Sequence, residues 1–235
     1  MKSPSISTES RTPHCPLCRR GGARLFFQDK RRSYLRCGHC QLIFVPKCHW
    51  LTFDQERAEY DLHENDPKDP GYRRFLSRFS EPLLKRLPPN QSGLDFGCGP
   101  GPALAAMLEE NGHTVDLYDP FYQNHPQSLE KKHDFICATE VAEHLRDPAA
   151  EFAMLFAMLK PGGWLGVMTR LAGDLAAFSK WHYIRDATHI CFYSLPSFQY
   201  MAARFNARLD FQPPDVILFC KNNIDANHAP ATKHT

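Results

Sequence analysis

Residues 94–120, LDFGCGPGPALAAMLEENGHTVDLYDP, carry the pattern that decides the fold. A short apolar strand ends at Phe96, three alternating glycines follow, and apolar residues then repeat at helical spacing. Gly112 is placed to end that helix, and a second strand ends at Asp119. Glycines let a backbone approach a ligand where a Cβ atom would clash. Because an acid at the tip of the second strand can accept hydrogen bonds from ribose hydroxyls, this β-turn-α-β unit predicts a nucleoside-type cofactor.

The glycine spacing differs from the dinucleotide-binding fingerprint. That fingerprint is G-x-G-x-x-G, and Pro102 stands where its last glycine would be. The run D-F-G-C-G-P-G at 95–101 instead resembles motif I of class I S-adenosylmethionine (SAM) methyltransferases. The resemblance continues in order through YDP at 118–120, DFICATEVAEHL at 134–145 and LKPGGWLGVMT at 159–169. It covers roughly residues 60–221, which is most of the chain.

The resemblance implies a doubly wound, Rossmann-like α/β sheet of seven strands, mostly parallel, with an antiparallel last strand. It also implies that the glycine turn holds the methionine part of SAM and that Asp119 holds the ribose. Only QNHPQSLEKKH, residues 123–133, precedes the next strand, so we expect the third strand to be short or missing. The predicted cofactor-binding residues in this part of the chain are Asp95, Gly97, Cys98, Gly99, Gly101, Asp119, Pro120, Thr139 and Glu140.

The composition is that of an ordinary globular protein, with 43% hydrophobic and 23% charged residues. The formal net charge of +2 gives no global attraction to nucleic acid or to an anionic membrane. There is no apolar run long enough to span a bilayer, and residues 1–13 lack the apolar core of a secretory signal. We therefore expect a cytoplasmic protein without membrane contact, where nine cysteines favour metal binding or free thiols over disulfides.

Four cysteines near the N-terminus have the spacing of a metal site. Cys15 and Cys18 form one C-x-x-C pair, Cys37 and Cys40 form another, and eighteen residues separate the pairs. This spacing matches a tetrahedral four-thiolate zinc site, so residues 14–48 are predicted to form a small zinc ribbon. Four thiolates leave no open coordination position, which makes the predicted zinc structural rather than catalytic. We expect zinc to supply much of the folding energy of so small a unit.

The ribbon is strongly basic, and this leaves two interpretations. Asp29 is the only acid between Cys15 and Cys40, against seven basic residues. Such a surface could contact nucleic acid. Alternatively, a small ribbon carries surface charge simply because it has little interior. The seven basic residues are Arg19, Arg20, Arg24, Lys30, Arg31, Arg32 and Arg36.

Residues 50–90 read as helices that link the ribbon to the sheet. Residues 60–65 are richer in polar and aromatic groups than a linker needs. In many class I methyltransferases an N-terminal helical segment caps the cofactor, so we predict Tyr60, His63 and Tyr72 as lid residues. Each could equally belong to an ordinary surface helix. The methyltransferase domain is predicted over 91–221, with disordered ends at 1–13 and 222–235.

Two stretches hold candidate catalytic residues. Glu143 and His144 match the acid–histidine pair that is common after the fourth strand in this family. The segment WHYIRDATHICFYS at 181–194 follows the fifth strand, where methyltransferases of this class place acceptor-binding residues. His182 or His189 could act as a general base, with Asp186 to orient it, although aromatic packing is the alternative. The predicted catalytic set is His144, His182, Asp186 and His189.

Three hypotheses for function follow. In the first, the protein moves a methyl group from SAM to an O, N or C nucleophile of a small-molecule acceptor. In the second, the acceptor is RNA and the basic ribbon guides it. In the third, the protein is a non-catalytic zinc-binding adaptor whose fold only binds SAM. The near-neutral net charge and the aromatic, histidine-containing segment at 181–194 favour the first.

Overall fold

The structure is a computed structural model that describes residues 13–62 and 65–223. The ends predicted to be disordered, 1–13 and 222–235, lie almost wholly outside these residues and stay predictions. The strands of the described part are β1 (Arg24–Gln28), β2 (Ser33–Arg36), β3 (Ile43–Phe44), β4 (Ser92–Phe96), β5 (Thr114–Tyr118), β6 (His133–Thr139), β7 (Leu159–Met168), β8 (Cys191–Phe192), β9 (Ala207–Gln212) and β10 (Val216–Lys221). Its α-helices are α1 (Phe53–Tyr60), α2 (Pro70–Leu84), α3 (Ala103–Glu109), α4 (Pro148–Met158), α5 (Leu175–Phe178) and α6 (Leu195–Arg204).

The larger sheet has the strand order β5-β4-β6-β7-β10-β9. The first four strands are parallel, and β10 runs antiparallel to both β7 and β9. The doubly wound sheet with an antiparallel last strand is therefore confirmed. The third of the seven strands, which the short connection predicts to be short or missing, is absent: residues 119–132, all of them described, contain a short 3₁₀ helix (Pro126–Glu130) in its place. The sheet thus has six strands rather than seven.

Successive side chains of a strand point to opposite faces of the sheet. Each face therefore packs against its own set of helices. On one face, Phe135 and Leu218 pack in a cluster with the apolar side of α2 and α3. On the other face, Ile136 and Ile217 pack in a cluster with α4 and α6. Parallel pairing aligns the carboxyl ends of β4, β5 and β6 at one edge of the sheet. Ligands of open α/β sheets bind at that edge.

Two helices begin where the sequence places a cap followed by proline. Asp69 accepts a hydrogen bond from the backbone N–H of Tyr72 at 2.6 Å, and Pro70 opens α2. Asp147 accepts from the N–H of Ala150 at 3.0 Å, and Pro148 opens α4. Proline is tolerated there because its missing N–H would have had no helical partner. No helix in the described part of the chain is long and apolar enough to cross a membrane.

The ribbon is joined to the α/β part through a shared sheet and a shared core. β1, β2 and β3 pair antiparallel, and β3 pairs in turn with β8, which comes from the segment at 181–194. Ile43 lies opposite Phe192 in that pairing. Buried Tyr34 of the ribbon contacts Phe178 and Phe192 edge-on, with ring centroids 5.3 and 5.8 Å away. The ribbon therefore packs directly against a predicted acceptor-binding segment, which its cysteine spacing did not indicate.

Candidate active site

The glycine turn after β4 needs glycine at two positions. Gly97 and Gly99 have φ angles of +75° and +65°, which L side chains rarely adopt. A Cβ atom on Gly97 would lie 2.4 Å from Cγ2 of Val141. The backbone N–H of Gly97 donates to the carbonyl oxygen of Tyr118 at 2.7 Å, which ties the turn to the end of β5. Packing and hydrogen bonding together hold the turn in one shape.

Asp119, at the tip of β5, is buried and holds the turn from the other side. Its Oδ2 accepts a hydrogen bond from the backbone N–H of Gly99 at 3.0 Å. Its Oδ1 accepts from the N–H groups of Phe121 at 2.8 Å and Tyr122 at 3.1 Å. Each carboxylate oxygen can accept two hydrogen bonds, so Oδ2 retains capacity for a ribose hydroxyl. Asp119 thus orders the loop and can also serve as the predicted ribose ligand.

Asp95 and Cys98 are both buried beside the turn. Asp95 accepts a hydrogen bond from the backbone N–H of Ala105 in the first turn of α3, and burial raises its pKa to about 7. Burial, with the nearby charges of Asp95 and Asp119, raises the pKa of the Cys98 thiol to about 12. A thiol with that pKa is not ionised at neutral pH. Cys98 is therefore a small packing residue rather than a nucleophile.

The segment predicted as a lid crosses the glycine turn. A Cβ atom on Gly101 would lie only 1.7 Å from the carbonyl oxygen of Asn65, so the two backbones are in direct contact. Tyr60 and Tyr72 both line the cavity beneath this segment. The Tyr60 hydroxyl donates to Oε1 of Glu56 at 2.9 Å within α1. The described residues 50–62 and 65–72 thus lie beside the glycine turn, where the sequence predicts a lid over the cofactor.

One cavity of about 760 Å³ connects the glycine turn to the segment at 181–194. This volume is within the usual range of small-molecule sites. His63 lies outside the described residues, while Gly101 and the exposed His182 are not among the lining residues. The predicted site residues that the structure brings together in the cavity wall are Tyr60, Asp95, Gly97, Cys98, Gly99, Asp119, Pro120, Thr139, Glu140, His144, Asp186 and His189.

The part of the cavity wall formed by Glu140, Glu143, His144, Asp186 and His189, here called the acceptor end, is built around Glu143. This residue is fully buried, and the Tyr183 hydroxyl donates to its Oε1. Its Oε2 is also buried and has no hydrogen-bond partner among the described residues. His189 donates from Nδ1 to the carbonyl oxygen of Tyr183 at 2.8 Å, and His144 from Nδ1 to that of Thr188 at 3.3 Å. The two imidazole centroids are 4.7 Å apart.

Burial sets the charge state of this end of the cavity. It lowers the pKa of His189, and the charge of His144 acts in the same direction, so His189 is neutral at pH 7. Burial raises the pKa of Glu140 to about 8, and the charge of Glu143 adds to the rise. Glu140 also has a positive φ of 53°, a costly conformation for a residue with a side chain. Asp186 completes the group, with Oδ2 at 3.6 Å from Nε2 of His189.

Arg32 of the ribbon is buried and clamps the segment that carries these groups. Its guanidinium donates to the carbonyl oxygens of Ile184 at 2.9 Å, Asp186 at 2.7 Å and Ala187 at 3.1 Å. Its Nε donates to the hydroxyl of Tyr34 at 2.9 Å. Five rigid donors on one planar group suit such multiple recognition. The ribbon therefore fixes the backbone beside His189.

The four ribbon cysteines form a compact cluster. Their Sγ atoms lie within 4.8 Å of one another, and two pairs, Cys15–Cys40 and Cys18–Cys37, are 3.5 Å apart. A tetrahedral zinc with Zn–S bonds of about 2.3 Å places its sulfurs about 3.8 Å apart. All four side chains are buried, and the donor set is purely thiolate. The cluster fits the predicted zinc.

Three residues of the site were not predicted. Asn65 is part of the polar run at 60–65, and Tyr183 lies inside the segment at 181–194, but neither was assigned a role. Arg32 was counted only as one of seven basic residues. Burial distinguishes Arg32 from the other six, and a charge pattern in the sequence does not reveal burial.

The glycine turn, the acid at the tip of β5 and the sheet order define a doubly wound α/β protein built to bind a nucleoside-type cofactor. The family model described as a methyltransferase domain matches residues 69–210, and the chain belongs to this family. It is a SAM-dependent class I methyltransferase. Comparison with curated proteins gave no match.

Among solved structures, a SAM-dependent methyltransferase from Methanosarcina mazei is 15% identical with a TM-score of 0.46, over 60% of this chain and 97% of that one. One from Archaeoglobus fulgidus is 16% identical with a TM-score of 0.48, over 64% and 99%. CalO1, a methyltransferase of calicheamicin biosynthesis solved with S-adenosylhomocysteine bound, is 12% identical with a TM-score of 0.43, over 65% and 56%. The assignment to the family comes from the family model.

Proposed function

We propose that this enzyme methylates an O, N or C nucleophile of a small-molecule acceptor. The observation that carries the proposal is the charge of the cavity wall. Among the described residues of this wall, Arg146 is the only lysine or arginine, and it donates to Oε2 of Glu56 at 2.6 Å. An acidic wall repels the phosphates of a nucleic acid and admits a neutral or cationic small molecule. The seven carboxyl groups in the wall are Glu56, Asp95, Asp119, Glu140, Glu143, Glu151 and Asp186. Burial raises the pKa of Asp95 and of Glu151 to about 7 and that of Glu140 to about 8, so these three carry only part of their negative charge at neutral pH.

The cofactor end of the cavity has the groups that SAM requires. In this proposal the turn at Gly97 and Gly99 holds the methionine part, and Asp119 holds the ribose with the remaining capacity of Oδ2. SAM supplies an electrophilic methyl group, so catalysis can come largely from positioning and from exclusion of water. The lid at Tyr60 and Asn65 supports both, because it covers the turn.

The acceptor end supplies groups that can orient a nucleophile and take up its proton. His189 is neutral and buried, and its Nδ1–H is fixed by the Tyr183 carbonyl. Its Nε2 faces Asp186 across 3.6 Å. A neutral imidazole held in one orientation is suited to general-base chemistry. We assign this role to the pair of His189 and Asp186, with His144 and Glu143 shaping the site.

We also propose that the four-cysteine cluster binds a structural zinc. The thiolate donor set and the Sγ spacing support this assignment. Zinc in such a site stabilises a fold and takes no part in chemistry. Its function here is to hold the ribbon, and with it the clamp that Arg32 forms on the segment at 181–194.

The RNA hypothesis is less well supported. Of the basic ribbon residues, Arg32 is buried, Arg19 forms an ion pair with Asp147 of the catalytic part, and Arg31 donates to the carbonyl oxygen of Arg185 at 3.3 Å. These three basic side chains are engaged by the protein itself, so less of the ribbon's positive charge faces a nucleic acid. Family membership and the intact cofactor end speak against a non-catalytic adaptor. The cytoplasmic location stays a prediction.

Calorimetric titration with S-adenosylhomocysteine tests the cofactor end. Asp119→Asn removes the charge but keeps the shape, and we expect it to weaken binding at least about tenfold, because charge-assisted hydrogen bonds contribute about 1.5–3 kcal/mol. Asp116→Asn is the matched control on the same strand, where the carboxylate pairs with Lys131 outside the cavity. Equal binding by all three proteins would overturn the assignment of Asp119.

The acceptor class is tested by incubation of the zinc-loaded enzyme with methyl-labelled SAM and a cell extract. We expect the label in molecules that pass a small-pore ultrafilter and resist ribonuclease. Label that is retained by the filter and released by ribonuclease would replace the small-molecule proposal with the RNA hypothesis. Label in retained, ribonuclease-resistant protein would contradict both.

A further inference from the structure

The acceptor end contains a second cluster of metal-type side chains. One ligand atom from each of Glu143, His144 and His189 lies within 4.8 Å of the others. Two imidazoles and one carboxylate form a donor set that borderline divalent metals such as Fe²⁺, Co²⁺ and Zn²⁺ favour. The cluster contains no cysteine and is separate in sequence from the ribbon cluster. Its chemistry is therefore different from that of the structural site.

A buried carboxylate oxygen without a partner is the second observation. Glu143 is fully buried, and its Oε2 has no hydrogen-bond partner among the described residues. None of the ion pairs in residues 13–62 and 65–223 involves Glu143. A buried carboxylate oxygen without a hydrogen-bond partner is costly unless a cation or a donor compensates it. The side chain lines the cavity, so the compensating group can come from there.

Neighbouring groups hold Glu143, His144 and His189 in orientations that are typical of metal ligands. The Nδ1–H groups of both imidazoles face backbone carbonyls, of Tyr183 for His189 and of Thr188 for His144. The Tyr183 hydroxyl donates to Oε1 of Glu143 and so fixes the carboxylate. Ligating histidines usually donate their other N–H to a carbonyl or a carboxylate, which sets the tautomer and the ring orientation.

We propose that Glu143, His144 and His189 bind a divalent metal ion in the acceptor end of the cavity. Asp186, with Oδ2 at 3.6 Å from Nε2 of His189, lies at the edge of this site. The ion compensates the buried charge of Glu143 and the acidic wall around it. A metal ion on Nε2 of His189 occupies the lone pair that would accept a proton, because Nδ1–H is already bound to the Tyr183 carbonyl. In this arrangement the general-base role of the pair therefore falls to Asp186 alone.

The role of the metal rests on the proposed function and narrows it to hydroxyl acceptors. A divalent ion binds an acceptor oxygen and makes its hydroxyl more acidic. The O–H proton passes to Asp186 and then to solvent, the oxygen forms a bond to the methyl carbon, and the S–CH₃ bond of SAM breaks. The products are the O-methylated acceptor, S-adenosylhomocysteine and one proton. Acceptors with a phenolic or enolic hydroxyl fit this chemistry best.

Titration of Co²⁺ into protein that already carries one equivalent of zinc tests the site. Cobalt should not displace zinc from the four cysteines, because Co²⁺ binds less tightly than Zn²⁺ in the general order of affinities. We expect the protein to bind one equivalent of cobalt in addition to its zinc. The visible absorption bands should be those of cobalt with nitrogen and oxygen ligands, without a thiolate-to-cobalt charge-transfer band. Binding without that spectrum, or no binding by the wild type, would overturn the proposal.

Two variants and one control locate the bound cobalt. Glu143→Gln keeps the shape and the Tyr183 contact, while His189→Asn keeps an N–H near the position of Nδ1 and loses Nε2. We expect each to weaken cobalt binding at least about tenfold, the lower end of the effects seen even for supporting residues. His182→Asn, on the same segment but exposed and outside the cavity wall, should bind as the wild type does. Unchanged binding in the first two variants would overturn the site.

Binding of S-adenosylhomocysteine to the same preparations separates the two proposals. Retained binding in every variant shows that the proteins are folded and that a loss of cobalt is local. If the wild type binds S-adenosylhomocysteine but no cobalt, the metal proposal fails and the proposed methyl transfer stands. If it binds cobalt at this site but methylates no small molecule, the metal site stands and the proposed acceptor class fails.

Discussion

The ribbon cluster and the acceptor-end cluster are built in opposite ways. Cys15 and Cys40 bound a stretch of 26 residues, and all four thiols come from two short C-x-x-C turns inside it. His144 and His189 are 45 residues apart, and they meet only because the end of β6 and the segment at 181–194 lie side by side. The ribbon cluster can be predicted from the spacing of its cysteines in the sequence. The acceptor-end cluster cannot, because only the fold brings its residues together.

The two clusters are also connected. The backbone carbonyl of Ile190 accepts a hydrogen bond from the N–H of Val45 at 2.9 Å, just after β3 of the ribbon. The N–H of the same Ile190 donates to the carbonyl oxygen of Glu143 at 2.9 Å. One residue beside His189 thus joins the ribbon to the acceptor end. We therefore expect the acceptor-end cluster to depend on the ribbon for its position, and this expectation is called the scaffold interpretation.

The largest effect should come from breaking the local cluster. Cys15→Ser removes a thiolate from the zinc site and should lower the melting temperature by at least about 10 °C, since structural zinc contributes several kcal/mol and each kcal/mol shifts the melting temperature of a domain this size by about 2–4 °C. Thermal unfolding followed by circular dichroism, with zinc content from a colorimetric assay, measures the effect. Because the ribbon supports the acceptor end, cobalt binding at Glu143 should be lost as well.

Cys48→Ser is the matched control for that variant. Cys48 is exposed and is not part of the four-cysteine cluster, so its replacement should change neither zinc content nor melting temperature. If Cys15→Ser lost zinc but kept its melting temperature and its cobalt binding, the two clusters would be independent. The scaffold interpretation would then be wrong.

A smaller effect should come from removing the hydrogen bonds of Arg32 to the segment at 181–194, which leaves the side chains of both clusters unchanged. Arg32→Met removes the guanidinium donor from the carbonyls of Ile184, Asp186 and Ala187. The Ile184 carbonyl keeps a bond from the Tyr34 hydroxyl at 3.2 Å and the other two bonds are only partly buried, so the total cost should be about 2–3 kcal/mol. We expect unchanged zinc content, a melting temperature lower by about 5–10 °C, and weaker cobalt binding. Lys30→Met, at an exposed position of the same ribbon, should leave all three unchanged.

The cobalt measurement decides what Arg32 does. A lower melting temperature with wild-type cobalt affinity would mean that Arg32 only stabilises the fold. A loss of affinity that exceeds the loss in Lys30→Met would mean that it positions the segment beside His189. A loss of zinc would show that the ribbon itself had unfolded, which contradicts the expectation for this variant.

The contrast between the clusters also explains what the sequence could predict. The glycine turn, Asp119 and the order of the strands follow from local spacing, and the four cysteines do as well. The missing third strand was expected from the short connection, although the sheet was still counted as seven-stranded. Contacts between distant parts of the chain produce the pairing of β3 with β8 and the burial of Arg32. They also leave Glu143 Oε2 without a hydrogen-bond partner. Residues far apart in the chain set them, and no local pattern in either segment records them.

The smallest effect should come from the surface contact between the same two regions. Arg19 of the ribbon pairs with Asp147 at the start of α4, and the two side chains are 53% and 48% exposed. Exposed ion pairs contribute about 1 kcal/mol or less, so Arg19→Ala should shift the melting temperature by no more than about 4 °C and leave cobalt binding unchanged. Asp147→Ala should cost about 1 kcal/mol more, because it also removes the α4 cap on Ala150. A double-mutant cycle isolates the pair. A coupling energy well above 1 kcal/mol would mean that this surface contact, as well as the buried pairing at β3 and Arg32, fixes the ribbon.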